Sequence, residues 1–331
     1  RADKVLIKES VMTRIVADIG GTNARFAVAH PHQGGYRLEH IQVVNCAKFP
    51  DFYSALEQWL GGVDQERPTQ ACIAVAGPVE ATKEGGRVTM TNLGWDIRAE
   101  KLCADLGLER ARVVNDFAAL ALSLPRLAKE DKWALRDVPS QDKGCMAVLG
   151  PGTGLGVAAI IHEAGRYRVV PGEGGHANLS AGSERELELL QILARTQMPV
   201  YNEYVLSGGG LVNLYRAVCA LHGRQPEDLT PPDVSGRGLE GSDPLCRETL
   251  IDFLNFLGSA AGDAALYYVA RGGIFLGGGV LPRIESLLPE SEFEKRFVTK
   301  GRLENWLQGV RVEVLKAGYP ALIGAAAWLE D

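Results

Sequence analysis

Twice in this chain an apolar strand runs into a glycine–threonine turn and straight back out into a second apolar strand. The first copy is Val16-Ala17-Asp18-Ile19-Gly20-Gly21-Thr22-Asn23, leading into Phe26-Ala27-Val28-Ala29. The second is Val148-Leu149-Gly150-Pro151-Gly152-Thr153-Gly154-Leu155-Gly156, leading into Val157 to Ile161. A tight glycine turn between strands leaves backbone N–H groups unpaired and unshielded by any Cβ, which makes a concave anion site. Two such turns on two halves of a chain point to halves that clamp one polyphosphate between them.

The rest of the composition narrows this reading. A chain of 331 residues exceeds what one hydrophobic core usually serves, so two domains are expected. The 39 glycines cluster in short apolar-flanked groups, which turns explain better than disorder. A formal charge of −6 with no run of Lys or Arg argues against nucleic acid as a partner. It also means that a bound polyphosphate must be neutralised locally, by backbone dipoles and a divalent metal. Cys46, Cys72, Cys103, Cys145, Cys219 and Cys246 lie far apart with no C-x-x-C spacing, and read as buried thiols of a reducing compartment. Asn178-Leu179-Ser180 fits a glycosylation acceptor, but no signal peptide is expected to accompany it and the match is read as noise. No apolar stretch is long enough to span a bilayer, so no membrane partner and a cytoplasmic location are expected.

Residues 15–29 and 36–44 alternate and suggest an opening hairpin or meander. Asp51 caps a helical pattern that puts Phe52, Leu56, Trp59 and Leu60 on one face. Ala71 to Ala76 reads as a strand buried on both faces, Arg87 to Leu93 as another, and Arg98 to Leu106 as a helix stopped by Gly107. Arg112-Val113-Val114 leads to Asn115-Asp116 and a helix over Phe117 to Leu124. Such alternation indicates a mainly parallel, covered sheet. Residues 126–144 read as polar and irregular, with the domain change near 120–130. Long helices are expected at 183–196, 208–221 and 245–271, around a Pro/Gly-rich loop at 223–243. A strand over Gly273 to Leu276 then runs into Gly277-Gly278-Gly279, and the final helix, from about Pro320, returns to the first domain. The expected division is a small α/β domain of 1–125 plus 318–331 and a large α+β domain of 126–317.

Several residues carry chemistry. Asp18 closes a strand beside the first turn, where a carboxylate would be repelled by phosphate unless a cation bridges them; it is a candidate Mg²⁺ positioner through water, or else a local turn cap. The second turn is no Walker A loop, and it opens a strand rather than a helix, which disfavours a dinucleotide fold. Gly277-Gly278-Gly279 lets a flat base and ribose approach the backbone, unless it is only a tight turn. Asn115-Asp116 follows a strand, where α/β sheets place ligands. Asp116 can accept a proton from a hydroxyl attacking phosphorus, or cap the following helix. Glu173 and His176, in Pro171-Gly172-Glu173-Gly174-Gly175-His176, suit a grip on neighbouring hydroxyls of a small polyol. Glu203 reads as a surface residue.

Taken together, Asp18-Ile19-Gly20-Gly21-Thr22-Asn23-Ala24-Arg25, Val114-Asn115-Asp116-Phe117, Gly152-Thr153-Gly154-Leu155-Gly156, Gly172-Glu173-Gly174-Gly175-His176, Leu206-Ser207-Gly208 and Gly277-Gly278-Gly279 closely resemble the bacterial glucokinase family of the sugar-kinase/actin-like ATPase superfamily. The likeness runs in order from about 14 to 329. It implies an α/β fold of two domains with a duplicated actin-like ATPase/hexokinase-type (ribonuclease H-like) core and an active site in the interdomain cleft. It further implies ATP-dependent phosphorylation of glucose at the 6-hydroxyl, with Asp116 as base and Asn115, Glu173, His176 and Glu203 on the other hydroxyls. The two turns, residues 18–24 and 152–154, would bind ATP phosphates with Mg²⁺ near Asp18, and Gly277 to Gly279 would line the adenosine. A homodimer is the assembly that relatives suggest. Related sugar kinases carry a cysteine-rich zinc signature after a comparable Gly-Gly-His; Cys219 is the first cysteine beyond His176 here, so no structural zinc is expected. Nor is a helix-turn-helix extension expected ahead of Asp18. The alternatives left open are a kinase of another hexose such as mannose or glucosamine, a donor other than ATP, a non-catalytic sugar sensor, and an actin-like ATPase of a chaperone or filament.

Overall fold

Alternation along the first strands decides which side of the sheet each residue covers. In the computed structural model, which describes residues 13–63, 68–141 and 143–330, β1 (Arg14–Ile19), β2 (Asn23–His32) and β3 (Gly35–Asn45) form the expected meander. Helix α1 (Phe52–Leu60) follows, and the Asp51 carboxylate accepts from Ser54 N at 2.7 Å, as an N-cap should. Strand β4 (Gln70–Val75), the short ribbon of β5 (Arg87–Thr89) and β6 (Asp96–Arg98), helix α2 (Ala99–Leu106), β7 (Arg110–Asn115) and α3 (Asp116–Ser123) complete this run. The sheet order is β3-β2-β1-β4-β7. Ile15, Ala17, Ile19, Ile73 and Val75 pack with α1 and α2 on one face, while Val16, Cys72, Ala74 and Val114 pack on the other. A period of two thus sends successive residues to two separate cores.

The second sheet repeats this order. Strands β8 (Lys132–Arg136), β9 (Met146–Pro151), β10 (Leu155–Glu163) and β11 (Arg166–Gly172) precede four helices, α4 (Glu184–Leu193), α5 (Asn202–Val205), α6 (Gly208–Leu221) and α7 (Pro231–Glu240). The long α8 (Pro244–Tyr267), β12 (Gly273–Leu276), α9 (Leu281–Ile284), α10 (Phe293–Val298), α11 (Glu304–Gln308) and β13 (Val312–Leu315) follow. The order is β11-β10-β9-β12-β13-β8, with α4, α6 and α8 packed on Leu149, Val157, Ile274 and Leu276. The last helix, α12 (Pro320–Ala327), lays Leu322, Ala325 and Ala326 on the Val16/Cys72/Ala74 face of the first sheet. The chain accordingly divides into two compact units, Arg1–Leu127 with Gly318–Asp331, and Ala128–Ala317.

Four expectations need correction. The sheets are mixed rather than mainly parallel: β1–β2–β3 and β9–β10–β11 are antiparallel, because their turns are far too short for a crossover, and only β1–β4–β7 and β9–β12–β13 run parallel. The strand read over Arg87 to Leu93 stops at Thr89, where Gly94 at φ 67° turns the chain back. The irregular stretch 126–144 contains β8, an edge strand paired to β13, whose lysine and arginine ends concealed it. The loop read at 223–243 contains α7: Thr230 and Asp233 form a capping box, and Pro231 and Pro232 occupy the first turn, where a missing N–H is harmless.

Candidate active site

Register brings three chain reversals to one edge of the first sheet. Ile19 pairs with Val75, and Val75 with Asn115, so β1, β4 and β7 end side by side. Adjacent strands lie ~4.8 Å apart, which puts the first turn and Asp116 on the order of 10 Å from each other. In that turn Gly20 N donates to Asn23 O at 2.9 Å, and Cys46 N donates to Thr22 O at 2.9 Å. The amides of Gly21 and Thr22 meet no protein acceptor among the described residues, and Thr22 is exposed. They are the donors a phosphate would find.

Asp18 and Arg25 face each other across β1 and β2, with Nη1 to Oδ2 at 3.0 Å. Burial pushes the Asp18 carboxyl above the ordinary aspartate range, and the Arg25 guanidinium works against that rise. One oxygen is thereby engaged. A magnesium ion keeps several waters and takes few protein ligands, so a water-mediated place beside Asp18 suits the donor set. Among the described residues no group of three or more His, Cys, Asp or Glu side chains is arranged to hold a metal.

Asn115, not Asp116, caps α3. Its Oδ1 accepts from Ala118 N at 3.0 Å and its Nδ2 donates to Gly77 O at 3.2 Å. The reading of Asp116 as the cap is therefore overturned, since Asp116 is the first helical residue. Its Oδ1 accepts from Phe117 N at 2.9 Å and Asn115 Nδ2 at 3.1 Å. These bonds orient a half-buried carboxylate at the positive end of α3.

The second unit is built in the same way. Leu149 pairs with Leu276, and Leu276 with Val314, so β9, β12 and β13 also end together. Gly152 N donates to Gly154 O at 2.7 Å, while the amides of Thr153 and Gly154 meet no protein acceptor among the described residues. Gly277 N donates to Leu149 O at 3.0 Å, and Val280 N to Pro151 O at 3.0 Å. This approach is so close that a Cβ on Gly150 would lie 2.6 Å from the Gly277 carbonyl carbon. Gly278 sits at φ 82°, where a side chain would be strained and would strike the Pro151 carbonyl. Gly279 is exposed, with open space where a Cβ would stand.

Helix α5 ties two loops of this unit together. Asn202 N donates to Ala177 O at 2.9 Å and its Nδ2 to Gly174 O at 3.0 Å, fixing the turn that carries Glu173 and His176. Both of those side chains are exposed, and the His176 ring stacks on Tyr201 with centroids 5.3 Å apart. Glu203 is not the surface residue its sequence context suggests: it is half-buried, and its Oε2 accepts from Leu155 N at 2.8 Å at the exit of the second turn. Gly208 N also donates to Gly152 O, at 2.8 Å.

A sequence model of the glucokinase family, described as "Glucokinase", matches residues 15–331. The chain belongs to the glucokinase family. It is 42% identical over 322 residues to a glucokinase of Nitrobacter hamburgensis, covering 96% of this chain and 98% of that one. It is 39% identical over 318 residues to one of Saccharophagus degradans, with the same coverages of 96% and 98%. Among solved structures, a glucokinase from an Antarctic psychrotroph superposes with a TM-score of 0.88 at 37% identity, over 96% of this chain and 98% of that one. The fold of the family is therefore the fold here, an α/β architecture whose actin-like ATPase core occurs twice. The part of α5 as the fastener of two loops was not visible in the sequence. A four-residue helix between Pro199 and Ser207 leaves no periodic signal.

Proposed function

We propose that this chain transfers the γ-phosphoryl group of ATP to the 6-hydroxyl of D-glucose, giving glucose 6-phosphate and ADP. Asp116 is the general base. Its carboxylate takes the hydroxyl proton as that oxygen forms its bond to the γ-phosphorus and the bond to ADP breaks. Asn115, Glu173, His176 and Glu203 hold the remaining hydroxyls. The turns at residues 18–24 and 152–154 receive the phosphates, and Gly277 to Gly279 lie along the adenosine. Mg²⁺, when bound, neutralises charge on the phosphate oxygens, and Asp18 would hold it through water.

The observation that carries this reading is the shared edge of β1 and β7, with two amides of Gly21 and Thr22 at one strand end and the Asp116 carboxylate at another. Family membership supports the same reaction. Among the described residues no helix is long and apolar enough to cross a membrane, and a cytoplasmic homodimer is the setting we infer. The test is a coupled assay of ADP release with and without glucose. Release only with glucose supports the proposal; release without sugar indicates an ATPase of another kind, and no release indicates a sensor. Comparing kcat/KM for glucose, mannose, glucosamine and fructose then fixes the preferred hexose, and sedimentation equilibrium fixes the assembly.

A further inference from the structure

The loop between β5 and β6 reaches back to the first turn. Thr89 pairs with Asp96 at its base, Met90 N donates to Trp95 O at 2.8 Å, and Gly94 N donates to Met90 O at 2.7 Å. Trp95 is buried against Phe52 of α1, with ring centroids 6.4 Å apart, so the loop is anchored in the core. Its tip exposes Thr91 and Asn92. Asn92 Nδ2 stands 3.9 Å from the place a Cβ on Gly21 would occupy. Among the described residues no protein acceptor engages that side-chain amide.

We propose that Asn92 is a further phosphate-binding residue, whose Nδ2 donates to the terminal phosphate of the nucleotide beside the Gly21 and Thr22 amides. The inference rests on the phosphoryl-transfer reading given above. An exposed asparagine on a mobile loop would lose much freedom on binding, but this loop is already held at both ends, so little ordering remains to be done. The donor is also neutral. With the Arg25 guanidinium engaged by Asp18, the first turn has amide dipoles rather than a free side-chain charge to offer an anion at this position.

The test uses the full chain with Asn92→Ala and Asn92→Asp, measuring kcat and both Michaelis constants. Losing one hydrogen bond to a charged oxygen should lower kcat/KM for ATP about 10- to 100-fold in the alanine variant. The Michaelis constant for glucose should stay within about twofold, since the lost contact is made only with the nucleotide. Asn92→Asp should be worse than alanine, because a carboxylate repels phosphate where a merely truncated side chain does not. An alanine variant within about twofold of wild type in kcat/KM for ATP, or an aspartate variant equal to it, overturns the inference. An equal rise in both Michaelis constants, or a lowered melting temperature that accounts for the loss, overturns it as well. The wild-type assay separates the two levels. If wild type releases ADP with glucose and the variants match it, only Asn92 loses its role; if wild type releases none, the functional reading falls and takes the inference with it.

Discussion

The two units share a strand order and a turn, yet they furnish the ends of their strands differently. Where β1 and β2 oppose a charged pair, Asp18 and Arg25, β9 and β10 oppose two glycines, Gly150 and Gly156. Where Asn115 ends β7 and Asp116 follows it, Lys316 follows β13 with its ammonium paired to Glu285. One scaffold thus yields an edge rich in ionisable groups and an edge in which backbones press together. The first sets charged side chains at its strand ends, while in the second main chain meets main chain at Gly150, Gly277 and Gly278, with the Glu203 carboxylate beside the turn. The comparison teaches that one repeated backbone can carry two quite different sets of side chains at its strand ends.

The largest expected effect tests the asymmetry directly. Asp116→Asn should lower kcat by about 10²- to 10⁴-fold while glucose affinity, read by calorimetry, changes little. Full turnover in that variant would remove the distinction between the edges. Gly150→Ala should come next. Its Cβ would stand 2.6 Å from the Gly277 carbonyl carbon, and overpacking of this kind costs about 1–3 kcal/mol, measurable by urea unfolding. Gly21→Ala in the first unit finds its nearest neighbour at 3.9 Å and should leave stability almost unchanged while weakening nucleotide binding.

The charged pair gives a pH signature that the glycine pair cannot. Asp18 titrates above its unfolded value, so the folded state holds that proton longer and stability declines as pH rises from the unfolded value through the folded one. Arg25→Met removes the guanidinium that restrains this shift. It should destabilise by on the order of 1–2 kcal/mol at neutral pH, a discounted figure because the pair is partly exposed. The loss should fade in acid, where the carboxyl is protonated in both states. Unfolding midpoints compared at neutral and acid pH would show it, and an equal loss at both would refute it. Last and smallest, Lys316→Ala should cost less than ~1 kcal/mol and leave turnover intact, since its partner Glu285 is partly exposed.

Much of this arrangement was legible in the residues because local rules and tertiary structure agree. Alternation marked β1 to β3, Asp51 marked the start of α1, and Gly107 marked the end of α2 in a left-handed conformation. What escaped was set by neighbours distant in sequence. Helix α7 carries two prolines and two glycines, a poor helical composition on its own, and it forms because a capping box starts it and Gly238 lets it lie against Leu250 of α8. Glu203 looks superficial until Leu155 N is found bonded to it. Asn92 sits in a turn that reads as strand, and only the folded loop brings it to Gly21.

One consequence follows from α12. One side of the first sheet, formed by Val16, Cys72, Ala74 and Val114, is roofed by Leu322, Ala325, Ala326 and Leu329, some two hundred residues later in the chain than the last of them. During synthesis the first unit must wait, its apolar side uncovered, until α12 has emerged, whereas the second unit has all its own pieces by Ala317. The later-made half is therefore the one able to mature first. The earlier-made half is the one whose second core is closed only by α12.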